Sequence, residues 1–179
     1  GGRTSELEGY IGHYQASPGA ADGDILHALV AQPAAGTTTV TTGFTQPDVA
    51  RNVTCVGDQA TCTGNLVVNG TNRAGEAISE TLAVNGTTPV VGNKAFASIT
   101  SMVVPTRGAA GDQVSLGQGS KLGLAHKLDH NTVWLAYLNK VKEGTLPTVA
   151  VSATVLESNT AIMNSALDGT RVDFYYVAH

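Results

Sequence analysis

The chain has 179 residues, a net charge of −4 and 13% charged residues, against about 25% in a typical soluble domain. That length supports one domain with a real core. The balance excludes a basic nucleic-acid footprint, and no apolar run approaches the ~18 residues of a membrane span.

Arg3, Glu6 and Glu8 occupy positions where a signal peptide would be apolar, so none is expected. A start on Gly rather than Met predicts a processed or trimmed N-terminus. Residues 1–24 carry no period, and "QASPGAADGD" (15–24) has loop composition. The stretch 1–24 therefore reads as an extended arm that needs a partner to become ordered. Residues 25–179 read as a single β domain.

"ILHALVAQP" (25–33) has the length of a strand rather than a helix. From residue 37 onward the chain is β-branched and punctuated by turn residues at roughly 8–12-residue intervals, the pattern of sandwiches and barrels. In "AISETLAVNG", Ile78, Thr81 or Leu82, and Val84 alternate with room for a slip. Asn69-Gly70 and Asn85-Gly86 have tight-turn chemistry. In "FASITSMVV", Phe96, Ile99 and Val103 or Val104 should point inward. "TVWLAYLNKVKEG" (132–144) has apolar spacing that a helix could use, but its strand neighbours and Val133-Trp134 favour a strand. In "DFYYVAH", Asp173 and Tyr175 should face one way, Phe174 and Tyr176 the other. The expected class is all-β: an antiparallel sandwich or barrel, jelly rolls included, with an N-terminal arm.

Cys55 and Cys62 flank "GDQA", a loop length that suits a hairpin with the two cysteines opposite each other. A disulfide closing so short a loop is worth roughly 2–3 kcal/mol. Reduced thiols are the equal alternative, expected if the protein assembles in a cytosol.

"GDQVSLGQGSKLGLAHKL" (111–128) gathers Asp112, Ser115, Lys121 and His126. It matches neither the G-x-S-x-G elbow of serine hydrolases nor the G-x-x-x-x-G-K-[ST] phosphate loop. Its polar residues read as ordinary strand and turn chemistry, and no catalytic residue is assigned. His126 and His130 stand four apart, with Asp129 between, but no third metal ligand accompanies them. Asp58, Asp112 and Asp168 each adjoin a glycine, and "GDQ" occurs twice, at 57–59 and 111–113, without an EF-hand ligand series. No cofactor or metal is expected. Asn52, Asn69 and Asn85 match the N-glycosylation triplet, although Asn-Gly-Thr is also what a Thr-rich β protein writes in its turns.

Pro47–Val53, Gly70–Glu76, Asn85–Thr88 and Asn93–Phe96, with "VSLGQGSKLGL" and "SALDGTRVDFYYV", resemble a type of small structural protein from tailed bacteriophages and prophages. The resemblance covers about residues 25–177 and rests on turns and strands, not on catalytic residues. It implies a non-enzymatic capsid decoration (cement) protein on the outer surface of the head. The implied partners are the major capsid protein and further copies of the chain as a homotrimer, with no nucleic acid and no membrane. Assembly would take place in the host cytoplasm. Two other readings stay open: a tail-tube or fibre-associated virion subunit, and a secreted carbohydrate-binding module.

Overall fold

A computed structural model describes residues 9–178. It is all-β, with antiparallel sheets curled into a half-barrel. The strands are β1 (Tyr10–Ala16), β2 (Asp22–Ala31), β3 (Thr38–Val40), β4 (Arg51–Gly57), β5 (Asn65–Thr71), β6 (Ala77–Ala83), β7 (Val90–Phe96), β8 (Ser98–Val104), β9 (Gln113–Gly123), β10 (Leu135–Leu138), β11 (Val141–Lys142), β12 (Thr148–Ala150), β13 (Thr160–Ile162) and β14 (Val172–Ala178). A first sheet runs β1-β14-β10-β11, a second β12-β13-β9-β4-β7, and a third β3-β8-β5-β6.

β9 is the spine of the second sheet. One of its edges is taken by β4 from Val114 to Leu122. The other is shared in tandem by β2, at Gln113–Gln118, and β13, at Leu122 and Gly123. With both edges and both faces covered, this Gly-rich stretch loses the polar alternation of a half-exposed strand. Gly117 shows why glycine is needed there. A Cβ on it would lie 2.1 Å from the backbone oxygen of Asp22. The glycines of this window serve close approach as well as turns.

Two apolar cores follow. The first lies between the second and third sheets and holds Leu26, Val53, Cys55, Leu66, Val68, Phe96, Met102 and Leu116. The second lies beneath the first sheet and holds Tyr14, Leu122, Leu124, Ala136, Phe174 and Tyr176. β9 supplies Val114 and Leu116 to one and Leu122 to the other.

Several expectations are met. Residues 25–31 are strand, and β14 buries Phe174 and Tyr176 while Asp173 and Tyr175 take the opposite face. β6 alternates without a slip, so Leu82 rather than Thr81 is inward. On β8 the inward residue is Val104, not Val103. A register shift at Asn69/Gly70 moves the buried set from Ile99 to Met102. The stretch 132–144 is strand, but as two short ones joined by Asn139 and Lys140, both with positive φ.

Others are corrected. The expected arm over 1–24 does not hold for its second half. Tyr10–Ala16 pairs along its whole length with β14, and β2 begins at Asp22. The rest of that expectation, residues 1–8, lies outside the described residues, as does His179. Asn85-Gly86 is a tight turn, with Thr88 N–H donating to Asn85 O at 3.0 Å and Gly86 at φ 55°. Asn69-Gly70 is not a turn. It sits inside β5, where a Cβ on Gly70 would meet the Ser98 oxygen at 1.9 Å. The hairpin expected around Cys55 and Cys62 is also absent. β4 pairs with β7 and β9, β5 with β6 and β8, so residues 58–64 cross from one sheet to another.

Candidate functional site

The chemistry-bearing residues of 111–128 are dispersed along β9 and the loops that flank it. Ser115 Oγ donates to the backbone oxygen of Gly23 at 3.0 Å. Lys121 Nζ donates to Gly92 O at 3.0 Å and also to Asn93 Oδ1. His126 Nδ1 lies 2.6 Å from the Tyr176 hydroxyl. Each of the three side chains is held by partners of its own, and none of these bonds joins one of the three to another. Burial, then the charge of Arg73, holds the His126 pKa below its ordinary value.

His130 bonds Asp129 rather than standing with His126 as a metal pair. Among the described residues, no three His, Cys, Asp or Glu side chains are placed to hold a metal ion. Asn52 is wholly buried, donating to Gly92 O and accepting from Lys121 N–H. Asn69 is half-buried and donates to Ser101 Oγ, whereas Asn85 is exposed. Only the last of the three glycosylation triplets presents its side chain to solvent.

Cys55 and Cys62 are both free and both buried. Burial pushes the Cys55 thiol up to about 12 and raises that of Cys62. The Cys62 thiol is held where the two "GDQ" loops meet, donating to Asp58 Oδ1 at 3.4 Å and to Gln113 O at 3.3 Å. Asp58 N–H donates to Gln113 O, and Gln113 N–H returns a bond to Asp58 Oδ1 at 2.8 Å. Asp112, from the second loop, accepts from the Thr61 hydroxyl and from the N–H groups of Gly108 and Ala109. These bonds hold the Asp112 carboxyl below the usual range, the Thr61 bond foremost. The repeated "GDQ" is thus a clasp between two distant loops. Asp168 stays local, accepting from Thr170 as the turn chemistry predicts.

The outer face of the first sheet presents a surface that sequence reasoning assembled only in part. The register places Ile11 opposite Val177, His13 opposite Tyr175, and Tyr175 opposite Leu135, all facing away from the core. Ile11 is 66% and Trp134 52% exposed. The Trp134 and Tyr175 rings lie 5.9 Å apart, and His13 stacks on Tyr175 at 4.5 Å with the planes at 5°. At its border, Asp173 takes two bonds from Arg171, at 2.6 and 2.8 Å, and one from His13 at 2.8 Å. The Arg171 guanidinium, first of all, holds the Asp173 carboxyl below the usual range. Nothing local in the sequence joined Ile11 and His13 to Tyr175 and Trp134, because a strand paired only to the far end of the chain leaves no local signature.

Comparison with known proteins returns no matching family model, no significantly similar curated protein and no significantly similar solved structure.

Proposed function

We propose that the chain is a virion structural protein: a capsid decoration (cement) protein that binds the outer surface of a phage head and fastens neighbouring major capsid subunits. The observation that carries this reading is the apolar outer face of the first sheet, with Ile11, Trp134, Tyr175 and Val177 side by side. Contiguous apolar surface on a folded domain marks an interaction site, and Tyr and Trp are favoured at interface cores. The resemblance over residues 25–177 supplies the kind of assembly. Two free, buried thiols agree with assembly in a reducing host cytoplasm. In a homotrimer every contact is repeated by symmetry, so modest contacts add through effective concentration.

The test is co-sedimentation of the purified protein with heads that lack it, followed by cryo-electron microscopy. Density at regular sites on the shell, lost with an Ile11→Ser/Trp134→Ser variant that still folds, is the expected result. Absence of binding to shells overturns the reading, and ring-shaped hexamers in its place point to a tail-tube subunit. A carbohydrate-binding module is the second reading, favoured by the proximity of Trp134 and Tyr175 on one exposed face. Saturable binding to an oligosaccharide, lost in the Trp134→Ser variant, would establish it.

A further inference from the structure

At the edge of the second sheet, β7 swells opposite β4. Asn52 faces Ala95 and Thr54 faces Val91, so Gly92, Asn93 and Lys94 stand against Val53 alone. Three side chains hold this bulge. Glu80 of β6 accepts the N–H groups of Asn93 and Lys94 on its two carboxylate oxygens, at 2.6 and 3.2 Å. Asn52, wholly buried, donates to Gly92 O at 3.0 Å and accepts from Lys121 N–H at 2.9 Å. Lys121 reaches over β4 from β9, and its Nζ donates to Gly92 O at 3.0 Å and to Asn93 Oδ1 at 2.5 Å.

A primary amine and a primary amide side chain are the two halves of an isopeptide bond. A C=O bond is about 1.2 Å long, so Nζ stands no more than about 3.7 Å from the Asn93 amide carbon. That is close to the ~3–3.5 Å of reacting atoms poised for attack. Both backbones are fixed, one by Asn52 and the other by Glu80, so the pair meets without a search. Groups held in this way react as though at very high concentration. Asn93 and Lys121 also line one groove of about 420 Å³, together with Val149, Val151 and Ile162. The groove leaves a small leaving group a path to solvent.

We infer that Lys121 and Asn93 are a covalent modification site, at which their side chains join in an intramolecular isopeptide bond. The Lys121 ammonium gives one proton to water in the groove. The Nζ lone pair attacks Asn93 Cγ, the Nζ–Cγ bond forms, and the Cγ–Nδ2 bond breaks. Nδ2 leaves as ammonia with a second Nζ proton, so the products are a secondary amide and, with the proton given to water, one ammonium ion. No oxidant or reductant takes part. The bond staples β9 to β7 across β4 and closes 28 positions of chain. It ties down a strand that pairs with β4 alone in that sheet. The inference does not rest on the capsid reading, because it is read on the isolated protein.

The experiment is intact-mass spectrometry of the purified full chain, fresh and after warming at mildly alkaline pH, where lysines are less fully protonated. The expected result is a mass lower than that of the sequence by one ammonia. Tandem spectra of a tryptic digest should then show one branched peptide joining Asn93 to Lys121, with no cleavage after Lys121. Lys121→Arg keeps a cationic donor without the amine, and Asn93→Ala lacks the amide carbon. Both variants are expected at their full sequence mass. The branched peptide of the parent decides the matter even where a variant fails to fold. A parent that keeps its full mass after warming would overturn the assignment. So would an ammonia loss that persists in Lys121→Arg or maps to a linear peptide, which is the mark of a succinimide at Asn93.

Discussion

His13 and Asp173 hydrogen-bond each other at 2.8 Å across the β1–β14 ladder, joining the two ends of the described chain. The bond lies on the outer face. On the inner face of the same strand pair, Tyr14 packs against Phe174. The N-terminal region is therefore part of the fold as well as a neighbour of its candidate interaction face.

Deleting residues 1–16 removes Tyr14 from the second core and uncovers the edge of β14. The loss of one large buried aromatic costs about 3–5 kcal/mol, which lowers Tm by roughly 10 °C or more in a domain of this size. Scanning calorimetry of the deletion checks it. An unchanged Tm would restore the reading of residues 1–24 as a detachable arm.

Glycine is expected to matter by position rather than by type. Gly117→Ala forces a Cβ to within 2.1 Å of the Asp22 oxygen in the middle of the second sheet. Overpacking of this kind costs about 1–3 kcal/mol or more. A Cβ on Gly144 meets nothing within 4 Å, so Gly144→Ala should be close to neutral. Paired urea melts, with equal m-values, distinguish the two.

The thiols should be silent in the native protein. Cys55 and Cys62 are buried and their pKa values raised, so little thiolate exists near pH 8 to attack a reagent. A colorimetric thiol titration is expected to read two groups in guanidinium chloride without reductant, and almost none before unfolding. A reading of zero in denaturant would mean a disulfide.

Acid should weaken the fold in two stages. The His126 pKa is lower folded than unfolded, so the unfolded chain takes up the proton first. Its contribution to stability is complete above about pH 6.5 and is lost as pH falls through the lower folded value. Asp173 has the same sign for a different reason. Its carboxylate is held by Arg171 and His13, and its contribution, complete above about pH 3.9, drains away as pH falls below that. Tm measured from pH 8 to pH 3 should fall in both windows, and His126→Asn should remove the first fall alone. A Tm that rises between pH 7 and pH 5 would contradict this.

The all-β class is legible in the residues alone, because β-branched runs and turn residues are local properties. So are the Asn85-Gly86 and Asp168-Gly169 turns and the inward and outward faces of β14, whereas thiols and a disulfide stood level at Cys55 and Cys62. Tertiary structure decided the rest. Asn69-Gly70 has the same chemistry as Asn85-Gly86, yet β8 and β6 flank it and hold it in a strand. Tyr10–Ala16 is a strand because β14, more than 150 residues away, offers it an edge. The two "GDQ" loops form one clasp only because β4 and β9 pair and bring them together. Tyr14 and Arg73, with nothing in common along the chain, meet for the same reason, the guanidinium lying 5.7 Å from the ring centroid. Pairing between distant strands leaves no period in either one, so a single sequence records what each segment can be, and the packed sheets select which of those it becomes.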